Sequence, residues 1–120
     1  MTEAPAPVQT FLADLAGHGV EGQVQGPAVV YTVVAVAGGL AGQAVPTAVS
    51  INELTGWPAV PPHWIHFPVS VTFDQSNTDT IDCLEGWRRH SRDIGNWSTS
   101  RPPILNWLAH VRGVAAGAAS

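Results

Sequence analysis

Trp57-Pro58-Ala59-Val60-Pro61-Pro62-His63-Trp64-Ile65-His66-Phe67-Pro68 places four prolines in twelve residues. Proline has no N–H to give to a helix or a sheet ladder, so this stretch is expected to be neither helix nor interior strand. It reads as a rigid, extended segment held by its own aromatic side chains, and it divides the chain in two. Upstream, residues 20–25, 28–37 and 45–54 are rich in Val, Thr, Ile and Tyr, and are separated by Gly26-Pro27 and by Gly38-Gly39 with Gly42. That is the pattern of an antiparallel meander. Val29-Val30-Tyr31-Thr32-Val33-Val34 is apolar on both faces and is expected to lie centrally; residues 69–73 supply a short fourth strand. Further upstream, Val8, Phe11, Leu12 and Leu15 recur at i, i+3, i+4 and i+7, one face of a helix that Gly17 and Gly19 end. Residues 1–7 read as a disordered Ala/Pro leader.

Downstream, residues 74–101 are polar and read as one long loop anchored by Trp87 and Trp97. Pro102-Pro103 can open a helix, and Ile104, Trp107, Leu108, Val111 and Ala118 keep its period. The expectation is a single α+β domain over residues 8–120: N-terminal helix, four-stranded antiparallel meander, Pro-rich segment, long loop and C-terminal helix. Phe11, Leu15, Trp57, Trp107 and Leu108 are the expected anchors of the helices on the sheet.

Composition narrows the function. The 120 residues hold five Arg, no Lys and nine acidic side chains, for a net charge of −4. Nucleic acid and anionic membranes both want a basic face, so neither is an expected partner. Hydrophobic residues make up 45% and charged residues 12%, which excludes a disordered polar tract. No apolar run is long and uninterrupted enough for a membrane span, and no basic-then-apolar leader opens the chain. A single cysteine rules out an internal disulfide and a multi-Cys zinc site, and suits a reducing cytoplasm.

Three groups of residues could carry chemistry. Cys83 is the only thiol, either a nucleophile or a small buried hydrophobe; its neighbours Asp82 and Glu85 would raise its pKa unless His90 or His66 comes close. His63 and His66 would need a third ligand, such as His90, Asp74 or Asp79, to hold a metal, and an extended Pro-rich segment does not give them one face. Trp87-Arg88-Arg89-His90-Ser91-Arg92-Asp93 holds three of the five arginines. It reads as an anion clamp through Arg92, as a Ser91 hydroxyl with a histidine base, or as a solvated turn. Gly38-Gly39-Leu40-Ala41-Gly42 has no Lys-Ser/Thr after it and reads as a hairpin turn, not a phosphate loop.

Trp57-Pro58-Ala59-Val60-Pro61-Pro62 resembles the aromatic-Pro-x-x-Pro-Pro element of ubiquitin-conjugating enzymes. That family has the same order of elements and a catalytic Cys about twenty residues after the Pro pair; Cys83 lies twenty-one after Pro62 and, like the family's, is followed by Leu. Asn77 stands near the place of the family's thioester-polarising Asn, although Ser76-Asn77-Thr78 replaces His-Pro-Asn. Trp97-Ser98 before Pro102/Pro103 is similar to the family's Trp-Ser-Pro. A closer likeness, over roughly residues 55–115, is to the bacterial branch called prokaryotic family E. Its Trp-x-x-His-Ser-Arg is matched by Trp87-Arg88-Arg89-His90-Ser91-Arg92, with Trp97, Trp107 and Pro61-Pro62-His63-Trp64-Ile65-His66 in accord.

The resemblance implies a cytoplasmic carrier that accepts the C-terminus of a ubiquitin-like protein from an adenylating enzyme and delivers it to an amine on a protein target. It implies Cys83 as nucleophile, Asn77 as oxyanion donor, His90 or His66 as general base, and Arg92 as a positioning charge, with no metal or cofactor in this domain. If Cys83 is structural, Ser91 or Thr78 could hold the acyl group as an oxyester. A chain without Lys offers no side-chain amine for self-transfer, although the Ala/Gly/Val/Arg-rich composition that a GC-rich genome imposes is the better explanation of that. The competing expectation is a non-catalytic binding module of the same fold, docking a partner through Trp64, Ile65 and Phe67. A small metal-dependent hydrolase built on His63, His66 and His90 is the third.

Overall fold

A computed structural model describes residues 4–73 and 77–119. Helix α1 spans Ala6–Gly17 and takes Ala6 and Pro7, read as leader, into its first turn. It buries Val8, Phe11 and Leu15. Strands β1 (Gln23–Gln25), β2 (Ala28–Val34) and β3 (Ala44–Ser50) follow. A 3-10 turn (Ile51–Leu54), capped by the Ser50 hydroxyl, ends the third strand earlier than its apolar run suggested. Then come β4 (Trp64–Pro68), β5 (Thr78–Asp79), β6 (Trp87–Ser91) and helix α2 (Pro103–Ala116). The strands form one antiparallel sheet in the order β1-β2-β3-β4-β6-β5. The molecule is thus α+β, with one helix before and one after the strands of a six-stranded sheet in chain order.

Both helices pack on one face. Tyr31 of β2 meets Phe11 of α1 edge-on at 5.9 Å, and its hydroxyl accepts the Trp107 indole N–H of α2 at 2.8 Å. Trp57 packs edge-on against Phe11 at 4.9 Å and donates to Asp14 at 3.0 Å, so the Pro-rich segment is tied to α1. All five anchors named above are buried.

Three expectations are corrected. The Pro-rich stretch does contain an interior strand, since β4 lies between β3 and β6. Its prolines flank a run, Trp64 to Phe67, in which every residue keeps its N–H. The Trp57–Pro58 peptide is cis, and the turns it belongs to end before β4 begins. Residues 69–73 form no strand; Val71 turns back on the Pro68 carbonyl. Within 74–101, read as one loop, β5 and β6 complete the sheet. β6 escapes a propensity reading because Trp-Arg-Arg-His-Ser has no β-branched residue. It is held instead by its full register with β4, Trp64 opposite Ser91 through Pro68 opposite Trp87.

Candidate functional site

The sheet register sorts the candidate residues by face. His90 pairs across from Ile65 and points into the helix-side core, edge-on to Phe67 at 5.6 Å and to Phe73 at 4.9 Å. His66 pairs across from Arg89 on the opposite face and is fully buried. The two imidazoles therefore cannot converge with His63 on one ion. Among the described residues no group of three or more His, Cys, Asp or Glu side chains forms a metal-binding cluster. Asp74 and Ser76 lie outside the described residues.

Ser91, the last residue of β6, is where candidates meet. Its N–H donates to the Asn77 carbonyl at 3.0 Å, and the next N–H, of Arg92, donates to the His63 carbonyl at 3.1 Å. These bonds carry the ladder one step past the regular strand and bring His63 alongside Ser91. Glu53, from the 3-10 turn, fixes the same place from below: one carboxylate oxygen accepts the N–H groups of His63 at 2.9 Å and Trp64 at 3.0 Å. The His63 ring stands edge-on to Trp64 at 5.6 Å, and its Nε2 hydrogen-bonds Ser91 Oγ at 2.5 Å. His63 is exposed and Ser91 half-buried, so the pair faces solvent at a rim. Beside it runs a groove of about 380 Å³ lined by Asn52, Glu53, Val60, Pro61, Pro62 and His63.

Arg92 donates to the Ser91 carbonyl at 2.8 Å and lies 5.0 Å over the Phe73 ring, and burial lowers its pKa. Arg89 stacks 4.1 Å over Trp64 and forms a two-bond ion pair with Asp79, at 2.6 and 3.2 Å. That hydrogen-bonded pairing holds the Asp79 carboxyl below its ordinary range. Arg88 spends two donors on the Thr78 hydroxyl, which fixes that alternative nucleophile as an acceptor.

Cys83 lies apart from Asn77. It belongs to the β5–β6 connection, where its N–H donates to the Thr80 carbonyl at 3.1 Å, whereas Asn77 bonds Ser91 at the far end of β6. Burial raises the thiol pKa. Arg89 and its N–H pull the other way, and Asp79 and Asp82 add to the rise. A thiol so held is mostly protonated near neutral pH and is a poor nucleophile. His66, the expected base, has neither ring nitrogen hydrogen-bonded among the described residues. Ile65 and Phe67, expected as exposed docking side chains, are fully buried, and only Trp64 of that trio is half-exposed.

Of the residues read from the sequence, the structure gathers Ser91 and the Asn77 backbone, links Arg92 to the Ser91 carbonyl while its guanidinium shares the Phe73 ring with His90, and leaves Cys83 and His66 apart from Ser91. His63 as the partner of Ser91, with Glu53 and Trp64 in support, was not legible, because the pairing depends on the unrecognised strand β6. No described helix is long and apolar enough to cross a membrane. No protein family, curated protein or solved structure matches the chain.

Proposed function

We propose that this domain is a ubiquitin-conjugating-like carrier in which Ser91, not Cys83, accepts the acyl group. The observation that carries the choice is the hydrogen bond between Ser91 Oγ and His63 Nε2 at a solvent-facing rim. The element order supports the fold likeness: helix, meander, Pro-rich element after β3, Cys83 segment, terminal helix. The acyl donor is the C-terminus of a ubiquitin-like protein, activated by an adenylating partner.

In the loading step His63 Nε2 takes the Ser91 hydroxyl proton as Oγ attacks the activated carbonyl carbon. An ester C–O bond forms, and the bond to the leaving group breaks with its electron pair, releasing AMP from an acyl adenylate or a thiolate from a thioester. Once the imidazolium has released its proton to solvent, a target amine attacks the ester carbonyl, its proton passes by way of His63 Nε2 to Oγ, the amide C–N bond forms and the C–Oγ bond breaks. The groove beside His63 receives the extended tail. Cys83 is structural in this scheme, and His90 and His66 take no part in proton transfer.

Intact mass of the protein co-expressed with its genomic neighbours tests the scheme. The expected adduct survives thiol, is released by hydroxylamine, persists in Cys83→Ser and vanishes in Ser91→Ala. His63→Ala should slow loading by about 10²–10⁴-fold, the range for loss of a general base. A thiol-labile adduct on Cys83 would return the nucleophile to the cysteine. A second reading, a non-catalytic binding module, is favoured by the raised Cys83 pKa and the absent His-Pro-Asn. A bare mass with a stably co-purifying neighbour would establish that reading instead.

A further inference from the structure

Between the segment that follows β6 and the outer face of α2 lies a cavity of about 540 Å³, a size usual for small-molecule sites. Asn106, Ala109 and His110 recur at i, i+3 and i+4 along α2, which puts them side by side in one wall. The other wall comes from residues 94–101 and is braced by several bonds. Trp97 packs on Trp57 at 5.7 Å and donates its indole N–H to the Pro58 carbonyl at 3.0 Å. Asn106 Nδ2 crosses from the helix to the Ser98 carbonyl at 2.9 Å. Ser98 Oγ accepts the Ser100 N–H at 3.2 Å and shares a hydrogen bond with Ser100 Oγ at 2.8 Å. The protein's own bonds therefore form the cavity, and a ligand does not have to order it.

The lining is chemically one-sided. Asn96, Ser98, Ser100, Arg101, Asn106 and His110 supply hydrogen-bonding side chains, and no lining residue is acidic, in a chain of net charge −4. Burial lowers the His110 pKa, with Arg92 adding to that and Asp93 opposing it, so the imidazole is neutral near pH 7. Its Nε2 is buried without a hydrogen-bond partner among the described residues. A buried polar atom left so is a sign of a partner that the protein itself does not supply. Arg101 is exposed, and among the described residues no ion pair engages it. The wall thus carries one cationic fork among neutral amides and hydroxyls. A guanidinium takes a carboxylate or phosphate through paired donors. Amides and hydroxyls both donate and accept, and ligand hydroxyls match them in both senses. We propose that this cavity binds a monosaccharide-sized polyol with one anionic group, its charge on Arg101 and its hydroxyls on Asn96, Asn106 and the Ser98–Ser100 pair. The site shares no residue with the Ser91–His63 pair and does not depend on that reading.

Amide shifts of the isotope-labelled protein, titrated with glucose-6-phosphate and with gluconate, test the site. At least one of the two should give saturable shifts confined to residues 94–110, with a Kd of millimolar order or tighter. Which one binds shows whether the anionic group is a phosphate or a carboxylate. Arg101→Gln should weaken binding about tenfold, the factor for one charged hydrogen bond. Ala109→Leu fills the cavity from an exposed position of α2, where Leu is a good helix former, and should abolish binding. Both substitutions are at exposed positions, so both variants keep the fold. No saturable shift with either compound overturns the proposal, as does an unchanged Kd in either variant. Inorganic phosphate binding as tightly as glucose-6-phosphate would overturn it too, since Arg101 would then hold an adventitious ion only.

Discussion

His66 and His90 lie back to back on adjacent strands, and both are held neutral. Burial pushes His66 down to about 4, helped by Arg89 and His90 and opposed by Asp82 and Asp79. Burial likewise lowers His90 to about 4, with Arg92 and Arg88 adding to it. An unfolded histidine titrates near 6.5. Between those values the unfolded chain binds protons that the folded one refuses, so stability is full above pH 6.5 and is lost as pH falls toward 4. Each histidine contributes up to about 3 kcal/mol to that loss. Urea midpoints at pH 7 and pH 4.5 should show the decline, and His66→Leu should remove roughly half of it; parallel pH slopes would sink the assignment. The sequence displayed these histidines but not their neutrality, because spacing in a Pro-rich segment does not reveal which face of a sheet a side chain meets. It displayed Ser91 in the same incomplete way, as a hydroxyl whose imidazole partner comes from another strand.

At the scale of elements, the helices rest on one polar contact inside an apolar layer. Tyr31 of β2 and Trp107 of α2 are both almost wholly buried, and the phenol oxygen is the acceptor for the indole N–H. Tyr31→Phe leaves that N–H unpaired and should cost about 1–3 kcal/mol. Trp107→Ala opens a cavity and should cost about 3–5 kcal/mol. In a denaturant double-mutant cycle, Tyr31→Phe should matter far less once residue 107 is Ala. Additive costs would show that the hydrogen bond contributes nothing. Both helices, β2 and β3 were legible because apolar period and turn glycines agree there. β4 and β6 were not, for opposite reasons. Prolines on both sides mask four good strand residues in β4, and in β6 charge masks a strand that exists through pairing. The same masking hid the candidate site, which is made where those two strands run out together.

The whole molecule is closed by a contact between its middle and its end. The β2–β3 hairpin was legible as a turn, but its glycines also seat the C-terminus of α2. Gly39 N–H donates to the Ala118 carbonyl at 3.1 Å, and Ala119 N–H donates to Thr72 at 2.7 Å, joining hairpin, helix end and the segment after β4. A Cβ on Gly39 would lie 2.1 Å from the Ala119 carbonyl oxygen, and one on Gly38 2.1 Å from that of Ala116. Backbone on both sides leaves no flexible side chain to yield. Gly42 supplies the control within the same turn, since its φ of 79° matches the 80° of Gly38 but nothing lies within 4 Å of its Cβ position. Gly42→Ala should therefore cost only the left-handed strain, about 1–2 kcal/mol. Gly38→Ala should cost that plus the clash, about 1–3 kcal/mol more. The excess should appear with faster amide exchange in the last turn of α2, which Gly42→Ala leaves protected. Equal costs for the two substitutions would mean that the helix end is not seated on the hairpin, and that α2 is held by its apolar face alone.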